Sequence, residues 1–241
     1  MSITIDITES GCLLTRKTPE GGIIARYVNP VDLGTVLSKQ GKLDTGILPP
    51  ATRYFSRGSG AVTMVLEVRP HVRPITTTNG GEMAVVPFPA LLFKLVLAEN
   101  ASAAYDVRSV RVVAYKDPAL TPGSQLYRFP YGNVYDDGRI CWGSIGVPQV
   151  KEIVNASAIC ELFLTSMFNG HLGNGILRVP AGDKYLIEKG YNAETPITIG
   201  CLTASSWFST KGIKVFPVEW LTPVTSPGAD KATGFILGGN T

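Results

Sequence analysis

Four apolar runs of strand length between residues 61 and 115 constrain the fold of this chain more than any other feature of its sequence. The runs are rich in Val and Leu and are separated by Gly, Pro, Asn or Ser; in chain order they read AVTMVLEV, MAVVPF, LLFKLVLA and VRSVRVVAY. Because the separators are too short to hold crossover helices, consecutive runs are expected to pair antiparallel. The sequence therefore predicts a strand meander.

The region before the meander also carries secondary-structure signals. Its strand candidates read ITIDIT, CLLTRK and GIIARYV. A helix of about three turns is predicted next, because Asn29 is a good N-cap, Pro30 suits the first helical position and Gly41 ends the apolar spacing. This region is therefore expected to contribute strands and one helix.

The chain after the meander combines a long irregular segment, a helix and further strand candidates. Residues 120–148 show little periodicity, and an irregular segment of this length is typical of a functional loop. Apolar residues from Val150 to Phe168 recur at helical spacing before a stop at Asn169-Gly170, and Cys160 on that face is expected to be buried. Strands are predicted at ILRVP, KYLIEK, ITIGCLTA and IKVFPVEW, followed by a poorly ordered tail.

Composition and charge argue against several classes of function. The net charge is +3 and no run of Lys or Arg exceeds two residues, so nucleic-acid binding is not supported. There are two histidines, and the cysteines lie far apart, at Cys12, Cys141, Cys160 and Cys201, so no metal site is expected. No apolar stretch approaches the roughly 18 residues of a membrane span, and the N-terminus lacks a signal-peptide pattern. A cytoplasmic protein with reduced thiols and no membrane contact is predicted.

The segment YGNVYDDGRICW, residues 131–142, is the strongest candidate for chemistry. Cys141 lies between an acidic, Gly-containing turn and Trp142-Gly143, and these flanks predict a partly exposed thiol rather than a core cysteine. A thiol is strongly nucleophilic even when little of it is ionised, and it leaves readily when an amine attacks its thioester. Cys141 is therefore the candidate nucleophile of a thioester carrier.

The same segment resembles the catalytic loop of ubiquitin-conjugating enzymes, in which His-Pro-Asn precedes an apolar residue, a variable turn and Gly-x-Ile-Cys-Leu. Here Tyr131-Gly132-Asn133 and Gly138-Arg139-Ile140-Cys141-Trp142 take those places, and Asn133 precedes Cys141 by eight residues as in that family. The chain also resembles prokaryotic family D of these proteins, and within it members from a cassette of ParB-related and ThiF-related proteins (PRTRC). The likeness is carried by FPYGNVYDDGRICWG, FPALLFKL and SMFNGH.

The resemblance implies an α+β fold with a ubiquitin-conjugating-enzyme-like core. In that core an antiparallel meander, the active-site loop and a helix follow one another, with extra β-rich segments at both ends. On this interpretation residues 1–60 are strands and a helix packed on the core, 61–190 are the core, 191–225 are a β-rich extension and 226–241 are a flexible tail.

The resemblance also implies a ubiquitin-like-protein transferase that forms a thioester on Cys141. The modifier would come from a ThiF-like adenylating enzyme and pass to an amine, and this chain itself would need no cofactor. A JAB-type deconjugating protease from the same operon is a further implied partner. The Asn133 amide would stabilise the oxyanion that forms during transfer. Alternatively, Asn133 only pins the irregular loop by bonding its backbone.

Other residues near the motif are candidate supports for the site. Tyr131 and Trp142 stand where the family has His and Leu. Asp137, with Asp136, could hold an incoming lysine ammonium, although a solvated turn is the alternative interpretation. His171 could orient or deprotonate the thiol, although a histidine at a helix end can instead interact with backbone carbonyls.

Two other classes of function compete with the conjugating enzyme. A catalytically silent conjugating-like fold could serve as a scaffold for the proteins of the cassette, which the change from His-Pro to Tyr-Gly motivates. A cysteine hydrolase would need His171 or His71 as a general base beside Cys141. Nothing in the residue spacing favours the hydrolase.

Overall fold

Three short antiparallel strands open the chain, as its N-terminal runs predict. They are β1 (Ile3–Thr8), β2 (Gly11–Lys17) and β3 (Ile23–Val28), hydrogen-bonded in that order. The structure is a computed structural model, and it describes residues 3–8, 11–17, 22–28, 47–58, 60–77, 83–172, 177–179, 181–182, 187, 197–225 and 230–238. The helix predicted after Asn29 lies outside these residues.

The chain divides into two compact units, Met1–Gly46 and Ile47–Thr241, and the second contains the candidate site. Its strands are β4 (Thr52–Gly58), β5 (Ala61–Val68), β6 (His71–Thr77), β7 (Met83–Phe88), β8 (Ala90–Glu99), β9 (Tyr105–Tyr115), β10 (Leu126–Tyr127), β11 (Met167–Phe168), β12 (Leu177–Val179) and β13 (Ile197–Ile199). Its described helices are α1 (Ser157–Leu164), α2 (Cys201–Lys211) and α3 (Ala232–Leu237), with 3₁₀ turns at Ile153–Ala156 and Val218–Trp220. The described residues thus form mostly antiparallel sheet with few helices.

A five-stranded antiparallel sheet, in the order β10-β9-β8-β5-β4, organises this unit. Both faces of β8 are buried, which explains its unbroken apolar sequence. On one face Phe93 contacts Phe163 of α1, with 6.0 Å between the ring centroids. On the other face Leu92 lies in one buried cluster with Phe235 of α3. The sheet is therefore the middle layer between two helices.

The predicted strands are confirmed at β5, β7, β8 and β9, and so is the antiparallel pairing of β8 with β9, but the predicted pairing of β7 with β5 and β8 is wrong. Strand β5 pairs directly with β8, whereas β7 pairs with β6 in a separate sheet of order β11-β6-β7. The prediction missed β6 because Pro74 lies inside it, and proline argues against a strand interior. Pro89 is the residue between β7 and β8, where the chain passes from one sheet to the other.

The helix predicted over residues 150–168 is shorter than expected at both ends. Val150 exchanges two backbone hydrogen bonds with Tyr105, of 2.8 and 2.9 Å, so the predicted start is extended. At the other end the Thr165 hydroxyl donates to the Glu161 carbonyl at 2.8 Å, a local bond that competes with helix continuation. The chain then enters β11 instead of a helical stop.

The strand predictions for the C-terminal third are only partly correct. ILRVP is confirmed as β12, and KYLIEK lies outside the described residues except for Ile187. ITIGCLTA is extended only as far as Ile199 before α2 begins, and IKVFPVEW is irregular up to its 3₁₀ turn. Residues that α2 buries recur at helical spacing, at Cys201, Ala204, Ser205 and Phe208. The region 191–225, predicted to be β-rich, is thus mainly helical and irregular where described.

The tail predicted to be flexible contains α3. Ala232 and Phe235 of this helix are buried against the five-stranded sheet. This packing stabilises α3, since so short a helix would not be stable by itself in water. The Lys94 ammonium of β8 donates to the Gly238 carbonyl at 2.6 Å, just beyond the helix. Burial lowers the pKa of Lys94, and the nearby charge of Arg111 lowers it further.

Phe235→Ala should lower the free energy of unfolding by about 2–4 kcal/mol, because it removes a buried ring that covers the sheet. Urea denaturation followed by circular dichroism measures this change. Leu237→Ala is the control, since Leu237 is 63% exposed and its loss should cost less than about 0.5 kcal/mol. Equal, small effects of both substitutions would show that α3 contributes nothing to the stability of the sheet.

Candidate active site

The segment from Asn133 to Cys141 forms a tight β-hairpin. The Cys141 N–H donates to the Asn133 carbonyl at 2.7 Å, and the Tyr135 N–H donates to the Arg139 carbonyl at 2.9 Å. The Gly138 N–H closes the turn on the Tyr135 carbonyl at 2.9 Å. Gly138 has φ +83°, a conformation that suits glycine and is typical of three-residue hairpin loops. The hairpin therefore places Asn133 opposite Cys141.

The hairpin is fixed to the edge of the five-stranded sheet. The Val112 N–H of β9 donates to the Gly138 carbonyl at 2.8 Å, and the Ile140 N–H donates to the Val110 carbonyl at 3.1 Å. Ile140 is buried in the core cluster that lies between the sheet and α1. The strand leading to the thiol is therefore held by the sheet rather than by the loop alone.

Cys141 differs from the other described cysteines in accessibility. Cys141 is partly exposed, whereas Cys160 and Cys201 are buried. Burial raises the pKa of the Cys160 thiol, and it raises the pKa of Cys201 to about 11, so both thiols are protonated at neutral pH. Among the cysteines whose side chains the structure describes, Cys141 is thus the thiol that a reagent or substrate can reach. The predicted burial of Cys160 is confirmed.

A tyrosine that the sequence analysis did not single out touches the thiol. The Tyr135 hydroxyl donates to the Cys141 sulfur at 3.5 Å, and Tyr135 is 43% exposed. In an antiparallel hairpin, a residue also neighbours the residue diagonal to it on the other strand. Because Tyr135 lies opposite Arg139, it is diagonal to Cys141, and the hairpin register could have identified this contact.

The two carboxylates of the turn already have cationic partners. Asp137 accepts from the Arg139 N–H at 3.0 Å and from its Nε at 2.5 Å, and Asp136 pairs with Arg128. Although partial burial alone would raise the pKa of Asp137, the hydrogen bonds from Arg139 lower it on balance. Both carboxylates therefore pair with arginines in a turn that stays exposed to solvent, to 91% for the Asp136 side chain and 40% for that of Asp137. The holding of a lysine by these carboxylates stays a prediction.

The Asn133 side chain fastens the hairpin to the segment that follows α1. Its Nδ2 donates to the Met167 carbonyl at 2.7 Å, and its Oδ1 accepts from the Asn169 N–H at 3.1 Å. Asn133 is 4% exposed and has φ +65°, a left-handed conformation that asparagine tolerates better than most residues. This geometry matches the loop-pinning role considered for Asn133.

Tyr131 and Gly132 occupy positions that packing dictates. Tyr131 is buried, and its hydroxyl donates to the Pro87 carbonyl. The centroid of its ring lies 4.7 Å from the ring centroid of Phe88. A Cβ on Gly132 would lie 2.0 Å from the Asn169 carbonyl oxygen, far inside van der Waals contact. Tyr131 therefore fits an aromatic core, and Gly132 fits a close approach to the Asn169 backbone. The His and Pro of the family would fit at these two positions only if the surrounding structure rearranged.

Trp142 and His171 are the remaining candidate supports of the site. Trp142 is half-buried and meets Phe163 of α1 edge-on, with 6.0 Å between the ring centroids. His171 is exposed, and its backbone N–H donates to Asn169 Oδ1 at 3.1 Å. It follows β11, so it is not the helix-terminal histidine of the alternative interpretation. Within the described part of the chain, the hydrogen-bond partner of the Cys141 sulfur is Tyr135 rather than a histidine.

The first residue of α2 also reaches the loop. The Cys201 sulfur donates to the Asn169 carbonyl at 3.7 Å, and the Gly132 N–H bonds to the same sulfur. No pattern in the sequence signals this contact, because it joins segments far apart in the chain. Among the residues described, no three His, Cys, Asp or Glu side chains come close enough to hold a metal ion.

The chain belongs to prokaryotic E2 family D: residues 35–185 match the model of that family, which is more than half of the sequence. This confirms the family inferred from the loop. No curated protein and no solved structure matches the chain. None of the described helices has both the length and the apolar character needed to cross a membrane. Membership of an E2-like family indicates a conjugating protein that works with a modifier and an E1-like partner.

Proposed function

We propose that Cys141 carries a ubiquitin-like modifier as a thioester, accepted from a ThiF-like adenylating enzyme and passed on to an amine. One observation supports this most: in a chain of family D, the accessible thiol lies at the end of a sheet-anchored hairpin. The resemblance of the loop implies that this thiol corresponds to the family's catalytic cysteine. The proposal also takes residues 61–190 as a ubiquitin-conjugating-like core. It places the protein in the cytoplasm with the PRTRC cassette, whose protein B the loop resembles.

The reaction has two acyl transfers on one sulfur. In charging, the Cys141 thiolate attacks the activated C-terminal carbonyl of the modifier, the bond to the activating enzyme breaks, and its leaving group takes the electron pair. In discharge, an amine attacks the new thioester, the carbon–sulfur bond breaks, and the amine proton passes to solvent. ATP is consumed by the adenylating enzyme, so this chain requires no cofactor.

The experiment that tests the proposal mixes the protein with the ubiquitin-like and ThiF-like proteins of its genomic neighbourhood and ATP. A non-reducing gel should show an adduct that disappears with thiol reductant and requires all components. No adduct under conditions in which the activating enzyme adenylates the modifier would overturn the proposal. If a JAB-type protease is encoded nearby, it is the candidate enzyme for removing the modifier from its acceptors.

Asn133 has two roles in this proposal. One Nδ2 hydrogen pins the loop to Met167, and the second hydrogen is the donor proposed for the oxyanion that forms in discharge. The pinning bond keeps the amide near the hairpin end on which Cys141 lies. Any test must therefore separate a loss of stability from a loss of transfer.

Asn133→Ala should slow discharge to free lysine by about 10²-fold while charging, per folded molecule, changes less. The substitution also removes two part-buried hydrogen bonds, so the free energy of unfolding should fall by about 1–3 kcal/mol. Single-turnover charging and discharge assays, with urea denaturation, measure these effects. Asn169→Ala is the matched control, because its side-chain amide bonds the His171 backbone instead of the loop. Equal loss in charging and discharge would leave Asn133 only its pinning role.

A further inference from the structure

The register of the hairpin fixes the position of one hydroxyl relative to the thiol. Tyr135 and Arg139 are directly opposite, and Cys141 is the next residue on the same face of the second strand. The Tyr135 hydroxyl consequently lies 3.5 Å from the Cys141 sulfur, within the range of an O–H···S hydrogen bond. The contact arises from backbone pairing on a sheet-anchored hairpin and does not require a flexible side chain to fold over.

Two charged groups hold the tyrosine ring in this place. The Arg139 guanidinium carbon lies 5.5 Å from the centre of the Tyr135 ring, a cation–π distance. Asp137 in turn holds Arg139 through the 2.5 Å bond to its Nε. Arg139 and Asp137 are also the charged groups that act on the Tyr135 hydroxyl, and their charges oppose one another. Arg139 and Asp137 therefore position the Tyr135 hydroxyl, and their opposite charges nearly cancel.

The hydroxyl remains a donor at neutral pH. The hydrogen bond to Cys141 and the interaction with its charge raise the pKa of Tyr135 above its ordinary value. The tyrosine O–H therefore keeps its proton across the range in which a thiol ionises. A donor that does not itself ionise can favour the negatively charged form of its acceptor, which is here the thiolate.

We infer that Tyr135 is a positioning residue that donates a hydrogen bond to the Cys141 sulfur and stabilises it as a leaving thiolate. The hydrogen bond to the thiol is independent of the proposed function, whereas the stabilisation of a leaving thiolate rests on it. When an amine attacks the thioester, the carbon–sulfur bond breaks and its electron pair stays on sulfur, where the Tyr135 O–H bonds to it. The tyrosine keeps its proton, and the amine proton goes to solvent, so no further reactant is needed.

The first experiment uses the protein alone. The rate of alkylation of Cys141 by iodoacetamide is measured against pH, by mass spectrometry of the peptide that contains Cys141, in Cys12→Ala protein with and without Tyr135→Phe. If the hydroxyl stabilises the thiolate, the midpoint of the pH–rate curve should rise by about half a unit to one unit in Tyr135→Phe. Phenylalanine keeps the ring and its contact with Arg139, so packing alone predicts no shift. An unchanged midpoint would overturn the inference.

The control for this measurement is Tyr54→Phe. Tyr54 lies on β4, at the edge of the five-stranded sheet opposite the hairpin, and it is part-buried. Its substitution should leave the alkylation midpoint unchanged. A shift of the same size in Tyr54→Phe would show that the effect is not specific to the contact with the sulfur, and would also overturn the inference.

The second experiment uses the thioester. Tyr135→Phe should slow discharge to lysine by about three- to ten-fold, because the leaving thiolate loses its hydrogen bond. Charging should slow less, because the greater nucleophilicity of a more basic thiolate partly offsets the smaller fraction of thiolate. If an adduct forms and Tyr135→Phe discharges at the wild-type rate, the leaving-group role fails while the proposed function stands. If no adduct forms, the proposed function fails, and the alkylation result alone decides whether the hydrogen bond exists.

Discussion

Cys141→Ala is expected to abolish the thiol-sensitive adduct completely, because no other described cysteine is accessible enough to replace it. The side chain is partly exposed and sits on a hairpin whose bonds are made by the backbone, so its truncation should change the free energy of unfolding by less than about 1 kcal/mol. Loss of the adduct would then report on chemistry rather than on folding. Non-reducing electrophoresis after reconstitution with the modifier, the activating enzyme and ATP provides the measurement.

Two further variants sharpen this result. Cys141→Ser offers a weaker nucleophile at the same place, and any adduct on it would be an oxygen ester that survives reductant. Cys160→Ala removes a buried thiol from α1 and should leave the adduct in full. An adduct that persists in Cys141→Ala would disprove the proposed nucleophile. Full biological function of Cys141→Ala would instead favour the scaffold interpretation.

Gly132→Ala is expected to destabilise the protein by about 2–4 kcal/mol and to impair charging even where folding is restored by stabilising conditions. The new methyl group would lie 2.0 Å from the Asn169 carbonyl oxygen, a backbone atom that cannot rotate away. Relief requires the segment after α1 to move, and that segment provides the Asn133 side chain with its partners. Thermal denaturation and the charging assay together measure both consequences.

Gly146→Ala is the matched control for this prediction. Gly146 follows the thiol in the same region, and a Cβ there meets nothing within 4 Å. Its substitution should change stability by less than about 0.5 kcal/mol. If Gly132→Ala proves as mild as Gly146→Ala, the close backbone approach does not constrain the loop, and the Tyr-Gly pair needs another explanation.

The strands and the partial exposure of Cys141 could be predicted because their signals are local. Strand β5 coincides with its apolar run, and Cys141 carries the flanks of an exposed loop cysteine. Predictions failed where local and tertiary preferences conflict. Strand β6 was not predicted because it contains Pro74, which its pairing nevertheless tolerates. The short helix α3 forms because Phe235 is buried against the sheet.

The supporting contacts of the site were harder to predict, because they depend on residues distant in the chain. Asn133 was identified from its spacing to the thiol, but its partners at Met167 and Asn169 follow from how the chain leaves α1 and enters β11, which pairs with β6. Tyr135 was within reach of prediction once a hairpin register was assumed. Cys201 was not, since only the tertiary fold brings α2 beside the loop.

Because of the contact between Gly132, Asn169 and Cys201, the hairpin that carries Cys141 would be hard to transfer to another protein. The family match ends at residue 185, before α2, yet the first residue of that helix bonds both to the loop and to the segment facing it. If residues 131–142 were grafted onto another scaffold, Gly132 would lose the backbone segment that packs closely against it, and Tyr131 would lose its aromatic neighbours. A functional transfer would therefore have to include the hairpin and the distant segments that contact it. Part of what is needed lies beyond the residues that the family match covers.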